Sequence, residues 1–275
     1  MQKLTPAWSS HFAREKLHTI GSIDPIDRIT WQQACGDGSG KGVRVAIIDS
    51  GVDAAHPALN GPVNGYAAVM AEGDCICYET IPHEDSCGHG TACAGIVRSL
   101  APQCEIYSVK VLGKGLTGRG STFIAGVRWA VENNMHICNL SLGTTKKEFY
   151  AILHEVVDQA YFRQIALVTA ANNMPIPSFP SMYASVISVA AHHEEDPTRF
   201  YYNPQPPVEF GALGIDVHVP WLDQKWSTVT GNSFAAPHIT GICAKILGAH
   251  PGLTPFQLKT VLRALSANVS TVLPE

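Results

Sequence analysis

The stretch VRVAIID, residues 43–49, is a nearly continuous run of apolar, mostly β-branched residues that ends in one aspartate. Such a run is typical of a strand that is buried on both faces of a parallel sheet. Four further runs have the same character: EIYSVKVL (105–112), HICNLSL (136–142), IALVTAA (165–171) and SVISVAA (185–191). The sequence therefore predicts a mainly parallel sheet built from these strands.

Segments of helical period lie between these runs. The apolar positions of one predicted helix are Phe123, Ile124, Val127, Ala130 and Val131, and those of the next are Phe149, Ile152, Leu153, Val156, Val157 and Ala160. Residues 208–229 are expected to form shorter strands and turns, before two final helices at 233 to about 250 and 254 to about 267. The alternation predicts a single α/β domain, with helices on both faces of a mainly parallel central sheet.

Charge and hydropathy exclude several classes of partner. The 275 residues contain 19 Lys+Arg and 23 Asp+Glu, for a net charge of −4, and neither sign forms a long run. We therefore expect no nucleic-acid partner and no attraction to an anionic membrane. The first residues, MQKLTPAWSSHFAREK, lack the apolar core of a signal peptide, and no run reaches the roughly 18 apolar residues of a membrane span. These features predict a cytoplasmic protein.

The eight cysteines are spread along a large chain, which fits a reducing compartment. One segment, CICYETIPHEDSC (75–87), combines three cysteines with a histidine and could bind zinc or form a disulfide. Its C-x-C and H-x3-C spacing matches no standard structural zinc finger. We therefore predict free thiols and no metal site.

Three polar residues follow apolar segments where the carboxyl ends of parallel strands should gather, which is where open α/β sheets place their sites. Asp49 ends the first strand, His89 lies in CGHGTACAGI before a helix, and Ser233 lies in GNSFAAPHITG at the start of another. Individually, Asp49 could form an Asx turn, His89 could be a packed histidine, and Ser233 could cap its helix. Together they supply an orienting carboxylate, a general base and a nucleophile.

These three segments, with KVLGKGLTGRGSTFIAGVRWAVENNMHICNLSLG (110–143), resemble the subtilisin-like serine proteases, or subtilases. The Asp, His, Ser order along the chain is also that of the subtilisin triad. The resemblance implies a catalytic domain over 29–275, preceded by a short N-terminal extension, 1–28. It further implies a monomeric serine endopeptidase that cleaves protein or peptide substrates through an acyl-enzyme, with Asp49, His89 and Ser233 as its triad.

The resemblance also assigns the groups around the triad. Asn173 is expected to donate to the oxyanion together with the Ser233 backbone N–H, although Asn172 is an adjacent candidate. The substrate backbone is expected to pair with two segments, which are Leu116, Thr117, Gly118 and Ser141, Leu142, Gly143. The second segment is also expected to form one wall of the primary specificity pocket. The other wall runs from Ala170 and Ala171 to Asn173, and Ser178 lies near the floor. The absence of a carboxylate at Ser178 predicts a preference for large apolar or aromatic P1 residues.

Two differences from the family bear on calcium. The segment GIVRSLAPQCEIYSVKV runs directly from the His89 helix to the next strand, without the calcium-binding loop of many secreted relatives, and Ala58 replaces an aspartate ligand. We therefore expect no tight calcium site and no required cofactor.

Three other functions remain open. They are a tailoring protease that removes leader peptides or macrocyclises ribosomal peptides, a silent subtilase that binds peptides, and a nucleotide-binding protein. The last is disfavoured because GKGLTGRGS lacks the Gly-Lys-Ser/Thr of a phosphate-binding loop.

Overall fold

The computed structural model describes residues 29–73, 75–205 and 207–269. The predicted extension, residues 1–28, lies outside the described residues. Within the described part, nine strands form one sheet: β1 Arg44–Asp49, β2 Val63–Glu72, β3 Cys75–Glu79, β4 Glu105–Lys110, β5 Ile137–Leu140, β6 Ala166–Ala170, β7 Ile187–His192, β8 Tyr201–Tyr202 and β9 Phe210–Leu213. Two more, β10 Val217–Pro220 and β11 Trp226–Val229, form an antiparallel ribbon.

The strand order is β3-β2-β4-β1-β5-β6-β7-β9-β8. The seven inner strands all run parallel to one another, and the two edge strands, β3 and β8, run antiparallel to the strands beside them. The helices are α1 Trp31–Cys35, α2 His89–Leu100, α3 Gly120–Glu132, α4 Tyr150–Phe162, α5 Asn232–Ala249 and α6 Pro255–Leu265. None of these helices is both long and apolar enough to cross a bilayer.

Two hydrophobic clusters separate the helices into layers. The cluster on one face joins Val45 and Ile47 of β1 to helices α1, α2, α5 and α6, whereas the other joins Ala46 and Ile48 to α3 and α4. Successive residues of β1 therefore enter opposite layers, which explains why its sequence is apolar throughout. The predicted fold class, an α/β domain with helices on both faces of a mainly parallel sheet, is confirmed.

Two details of the helix prediction were wrong. Phe149 ends a 3-10 turn, Lys147–Phe149, before α4 begins, and Ile152 is 42% exposed and does not face the core. The ring of Phe149 packs over Gly120, where a Cβ atom would lie 2.3 Å from the ring. The apolar character of Phe149 therefore reflects a contact with the start of α3 and not the inner face of α4.

Candidate active site

The last residue of β1, Asp49, is completely buried and faces the first residue of α2, His89. The Nδ1 atom of His89 lies 2.8 Å from Oδ1 and 2.9 Å from Oδ2 of Asp49. Gly90 allows this approach, because a Cβ atom there would lie 2.0 Å from the carbonyl oxygen of Gly51. A carboxylate at Nδ1 fixes the hydrogen on that nitrogen and leaves Nε2 to act as a base.

Burial and charge act in opposite directions on His89. Burial of the imidazole disfavours the protonated form, but the Asp49 carboxylate outweighs it, and the pKa of His89 is raised above its usual value. Asp85 adds a smaller contribution in the same direction. The site therefore stabilises a positive charge on this imidazole.

Ser233 is the second residue of α5, and the N-cap position belongs to Gly231, which makes no side-chain cap. The carbonyl oxygen of Ser233 accepts a 2.6 Å hydrogen bond from Ser141 Oγ. The Sγ atom of Cys93 lies 3.7 Å from that oxygen and 3.9 Å from Asp49 Oδ2, and the Phe234 ring lies 5.2 Å from the His89 ring. The structure thus brings the three predicted triad segments together, and Ser233 does not serve as the helix cap.

The two adjacent asparagines have different partners. Asn173 Oδ1 accepts a 2.9 Å hydrogen bond from the backbone N–H of Asn232, so its Nδ2 lies on the opposite side of the amide group. Asn172 Oδ1 instead accepts from the backbone N–H of Met174 at 2.8 Å, which closes a local turn. Of the two asparagine side chains, only that of Asn173 is hydrogen-bonded directly to the segment that carries Ser233.

Asn232 was not predicted as a site residue. Its Oδ1 accepts from the backbone N–H of Ala191 at 2.8 Å, and its Nδ2 donates to the carbonyl oxygens of Ala171 and Asn172 at 3.2 and 3.1 Å. It therefore connects the segment that carries Ser233 to the ends of β6 and β7. Its place directly before Ser233 was the only signal available in the sequence.

The predicted substrate segments line one cavity of about 300 Å³. Leu116, Thr117 and Gly118 line it together with Leu142, Gly143 and Phe149. The first segment follows β4 and the second follows β5, and these two strands flank β1 in the sheet. The structure thus places the two predicted backbone-pairing segments along one groove.

The predicted specificity pocket has its walls close together. Thr144 and Phe179 exchange two backbone hydrogen bonds of 2.8 and 2.9 Å. Ser178 is buried, and a Cβ atom on Gly143 would lie 3.6 Å from its Oγ. Leu140, directly before the 141–143 wall, pairs with Thr169, directly before Ala170. The predicted wall and floor residues therefore lie on adjoining segments.

A second buried carboxylate, Asp85, lies behind the triad and was also not predicted. Its Oδ1 accepts from Ser50 Oγ at 2.7 Å and from the Cys87 backbone N–H at 3.0 Å. Its Oδ2 accepts from the Thr91 backbone N–H at 2.8 Å and from Thr91 Oγ1 at 2.7 Å. Asp85 therefore satisfies the first turn of α2, which has no side-chain cap of its own.

All eight cysteines are free, so the disulfide considered for the 75–87 segment does not form in this structure. Among the described residues, one group of three potential metal-ligand side chains comes within 4.8 Å, and it consists of Asp49, His89 and Cys93. Two of these are already paired with each other as carboxylate and imidazole. Burial, with a further contribution from Asp49, raises the pKa of the Cys93 thiol well above its usual value.

The fold and site define a class: an α/β protein with an aspartate–histidine pair at a strand end and a serine at the start of a neighbouring helix. The sequence model of the subtilase family matches residues 40–271. The chain belongs to the subtilase family.

Individual proteins agree with this assignment. The chain is 32% identical over 264 residues to minor extracellular protease Epr of Bacillus subtilis (strain 168), covering 91% of this chain and 38% of that protein. It is 32% identical over 255 residues to a thermostable alkaline protease of Halalkalibacterium halodurans, covering 88% and 67%. It is also 32% identical over 241 residues to a subtilisin of Bacillus pumilus, covering 82% and 84%. The chain thus spans little more than a third of Epr and two thirds of the alkaline protease.

A solved structure, a cold-adapted subtilisin-like serine proteinase, superposes with a TM-score of 0.67. Its sequence is 26% identical, and the match covers 82% of each chain.

Proposed function

We propose that this protein is a serine endopeptidase that hydrolyses peptide bonds through an acyl-enzyme. The observation that carries the proposal is the buried pair of Asp49 and His89, joined at 2.8 Å, beside the helix start that holds Ser233. An imidazole oriented by a carboxylate next to a serine is the arrangement that activates a hydroxyl for acyl transfer.

The mechanism follows from the charges. His89 Nε2 takes the hydroxyl proton as Ser233 Oγ attacks the peptide carbonyl carbon, and Asp49 stabilises the imidazolium. The oxyanion accepts hydrogen bonds from Asn173 Nδ2 and the Ser233 backbone N–H. His89 then gives its proton to the departing amine, which leaves an ester on Ser233. A water molecule, deprotonated by His89, hydrolyses this ester and releases the second product.

The substrate binds as an extended segment that pairs with residues 116–118 and 141–143 as an added strand. Its P1 side chain enters the pocket between 141–143 and 170–173, with Ser178 as the floor. None of these residues carries a negative charge, so a large apolar or aromatic P1 side chain is favoured over lysine or arginine. These steps use only side chains, backbone amides and water, so we further propose that a monomer without calcium or another cofactor is active.

A fluorogenic peptide library, profiled at each P1 residue with wild-type and Ser233→Ala protein, tests both the nucleophile and the specificity pocket. We expect cleavage after Phe, Tyr, Leu or Met. The kcat should fall on the order of 10⁶-fold in Ser233→Ala. The control Ser99→Ala, on the exposed side of α2, should cleave normally. Turnover that survives in Ser233→Ala would refute the nucleophile, whereas Ser233-dependent cleavage chiefly after Lys or Arg would refute only the pocket assignment.

A further inference from the structure

One face of the β2–β3 hairpin carries three sulfur-containing side chains. The antiparallel register places Met70 directly opposite Cys77, and Glu72 directly opposite Cys75. Residues directly opposite each other share a face, as do residues two apart on one strand. Met70, Cys75 and Cys77 therefore project from the same side of the hairpin, and we call them the sulfur face.

The sulfur face is turned to solvent because the other side of the hairpin is occupied. Val69 is buried, Ile76 packs against the cluster that contains α3, and the Tyr78 hydroxyl donates to the carbonyl of Ala125 in α3 at 3.3 Å. On the sulfur face, Met70 is 40% exposed, Cys75 is exposed and Cys77 is half-buried. Both thiols are free.

The spacing lets the three sulfur atoms reach a common point. Residues two apart on one strand are separated by about 7 Å along the strand. The Cβ atoms of directly opposite residues are about 4.5–5.5 Å apart. Met70 and Cys75 are exposed and can change rotamer without disturbing a core, so their sulfurs can tilt toward that of the half-buried Cys77. The exposed position also gives an ion direct access from solvent.

We propose that the sulfur face binds one copper(I) ion. The Cys75 and Cys77 thiolates and the Met70 thioether supply three sulfur ligands, and thiolate with thioether is the soft donor set that selects Cu(I). Binding releases two thiol protons to the buffer, so the Cu⁺ ion with its two thiolates and one thioether carries a net charge of −1. Glu72 offers only hard oxygen atoms, and it is not a ligand.

The fold separates this site from the other residues of the 75–87 segment. His83 is half-buried, and its Nε2 lies 2.8 Å from Ser108 Oγ in β4, while its ring packs edge-on against Tyr66. Cys87 belongs to the loop before α2, where its backbone N–H binds Asp85. A zinc site with cysteine and histidine ligands is therefore not assembled, and the thioether of Met70 completes the site instead.

The experiment is an anaerobic Cu(I) titration of full-length Ser233→Ala protein, in competition with the chromophoric chelator bathocuproine disulfonate. The Ser233→Ala background prevents self-cleavage, so the outcome does not depend on the proposed protease activity. We expect one tightly held equivalent, which Zn²⁺ does not displace. X-ray absorption at the copper edge should detect sulfur scatterers alone.

Variants assign the ligands. Cys75→Ser/Cys77→Ser should weaken binding on the order of 100-fold, and Met70→Leu, which conserves volume, should weaken it about tenfold. Cys87→Ser is the matched control and should bind like the parent protein. Circular dichroism establishes that each variant is folded. Undiminished binding by Cys75→Ser/Cys77→Ser, equal affinity in Met70→Leu, preferential binding of zinc, or loss of the ion in Cys87→Ser would overturn the three-sulfur site.

Discussion

The carboxylate of Asp85 accepts a 2.7 Å hydrogen bond from the Ser50 hydroxyl, and the backbone N–H of Ser50 donates to Asp49 at 2.8 Å. The other oxygen of Asp85 binds Thr91, two residues after His89. One buried carboxylate thus joins the loop after β1 to the first turn of α2. It holds the two segments whose side chains form the carboxylate–imidazole pair.

Asp85→Asn should move the acidic limb of the pH profile of kcat/KM to lower pH. Catalysis needs neutral His89, so activity rises as pH rises through the pKa of His89, and the Asp85 charge contributes to holding that pKa up. Removing the charge lowers the pKa. Glu84→Gln, an exposed neighbouring carboxylate, should leave the limb in place. An unchanged limb in Asp85→Asn would mean that Asp85 acts only as a structural acceptor.

Asn173→Ala should lower kcat by on the order of 10²- to 10³-fold, with little change in KM, because an oxyanion donor acts mainly in the transition state. Asn172→Ala is the matched control, since its side chain closes a local turn with Met174. Steady-state kinetics on one peptide substrate compares the two variants. A larger effect at Asn172 than at Asn173 would reverse the assignment.

Arg98 should stabilise the fold by joining two loops. The buried guanidinium donates from Nη1 to Pro102 at 3.2 Å and from Nη2 to Pro62 at 2.9 Å, beside the short connection between α2 and β4. Arg98→Met should therefore lower the free energy of unfolding by about 3 kcal/mol. Arg128→Met, on half-exposed α3 surface, should change it little.

A calcium chelator should leave the melting temperature of the Ser233→Ala protein unchanged, because no tight calcium site is expected. The measurement is thermal and denaturant unfolding in the Ser233→Ala background, with added Ca²⁺ or with EDTA. A large decrease in melting temperature with EDTA would contradict the expectation that a tight calcium site is absent.

His238 should make the fold sensitive to acid. Its Nδ1 donates to the Phe234 carbonyl at 2.8 Å, and burial lowers its pKa to about 4. The unfolded chain binds this proton near pH 6.5, so stability is complete above that pH and decreases as pH falls toward 4, by about 3 kcal/mol in total. Urea unfolding of Ser233→Ala protein with and without His238→Asn, at pH 7.5 and 4.5, measures this acid-induced loss of stability. An equal acid-induced loss in both proteins would exclude His238 as the source.

The five central strands β1, β4, β5, β6 and β7 could be predicted because burial on both faces imposes a continuous apolar run, as in β1 with Val45 and Ile47 on one side and Ala46 and Ile48 on the other. The β2–β3 hairpin was missed for the opposite reason. It lies at the sheet edge with one face in solvent, so its sequence mixes apolar, small and polar residues. Its apolar residues, YAAVMA (66–71) and CICY (75–78), are small or sulfur-containing in large part and are not the β-branched runs that mark the buried strands.

Within the site, the segments around Asp49, His89 and Ser233 could be recognised because each motif is local in sequence. Asp85 and Asn232 could not, since each joins its own segment to one far along the chain, Asp85 to Ser50 and Asn232 to Ala171 and Ala191. The choice between Asn172 and Asn173 likewise depends on which amide oxygen meets the Asn232 N–H. Such partners are defined only once the strands have been brought together.

Labelling with a fluorophosphonate, read by intact mass and peptide mapping, tests the central claim most directly. The reagent reacts with a serine that is activated by a base and faces oxyanion donors. We expect a single adduct on Ser233 in the wild-type chain and none in folded Ser233→Ala protein. Folded wild-type protein that takes no adduct, or takes it at another residue, would contradict the proposed site.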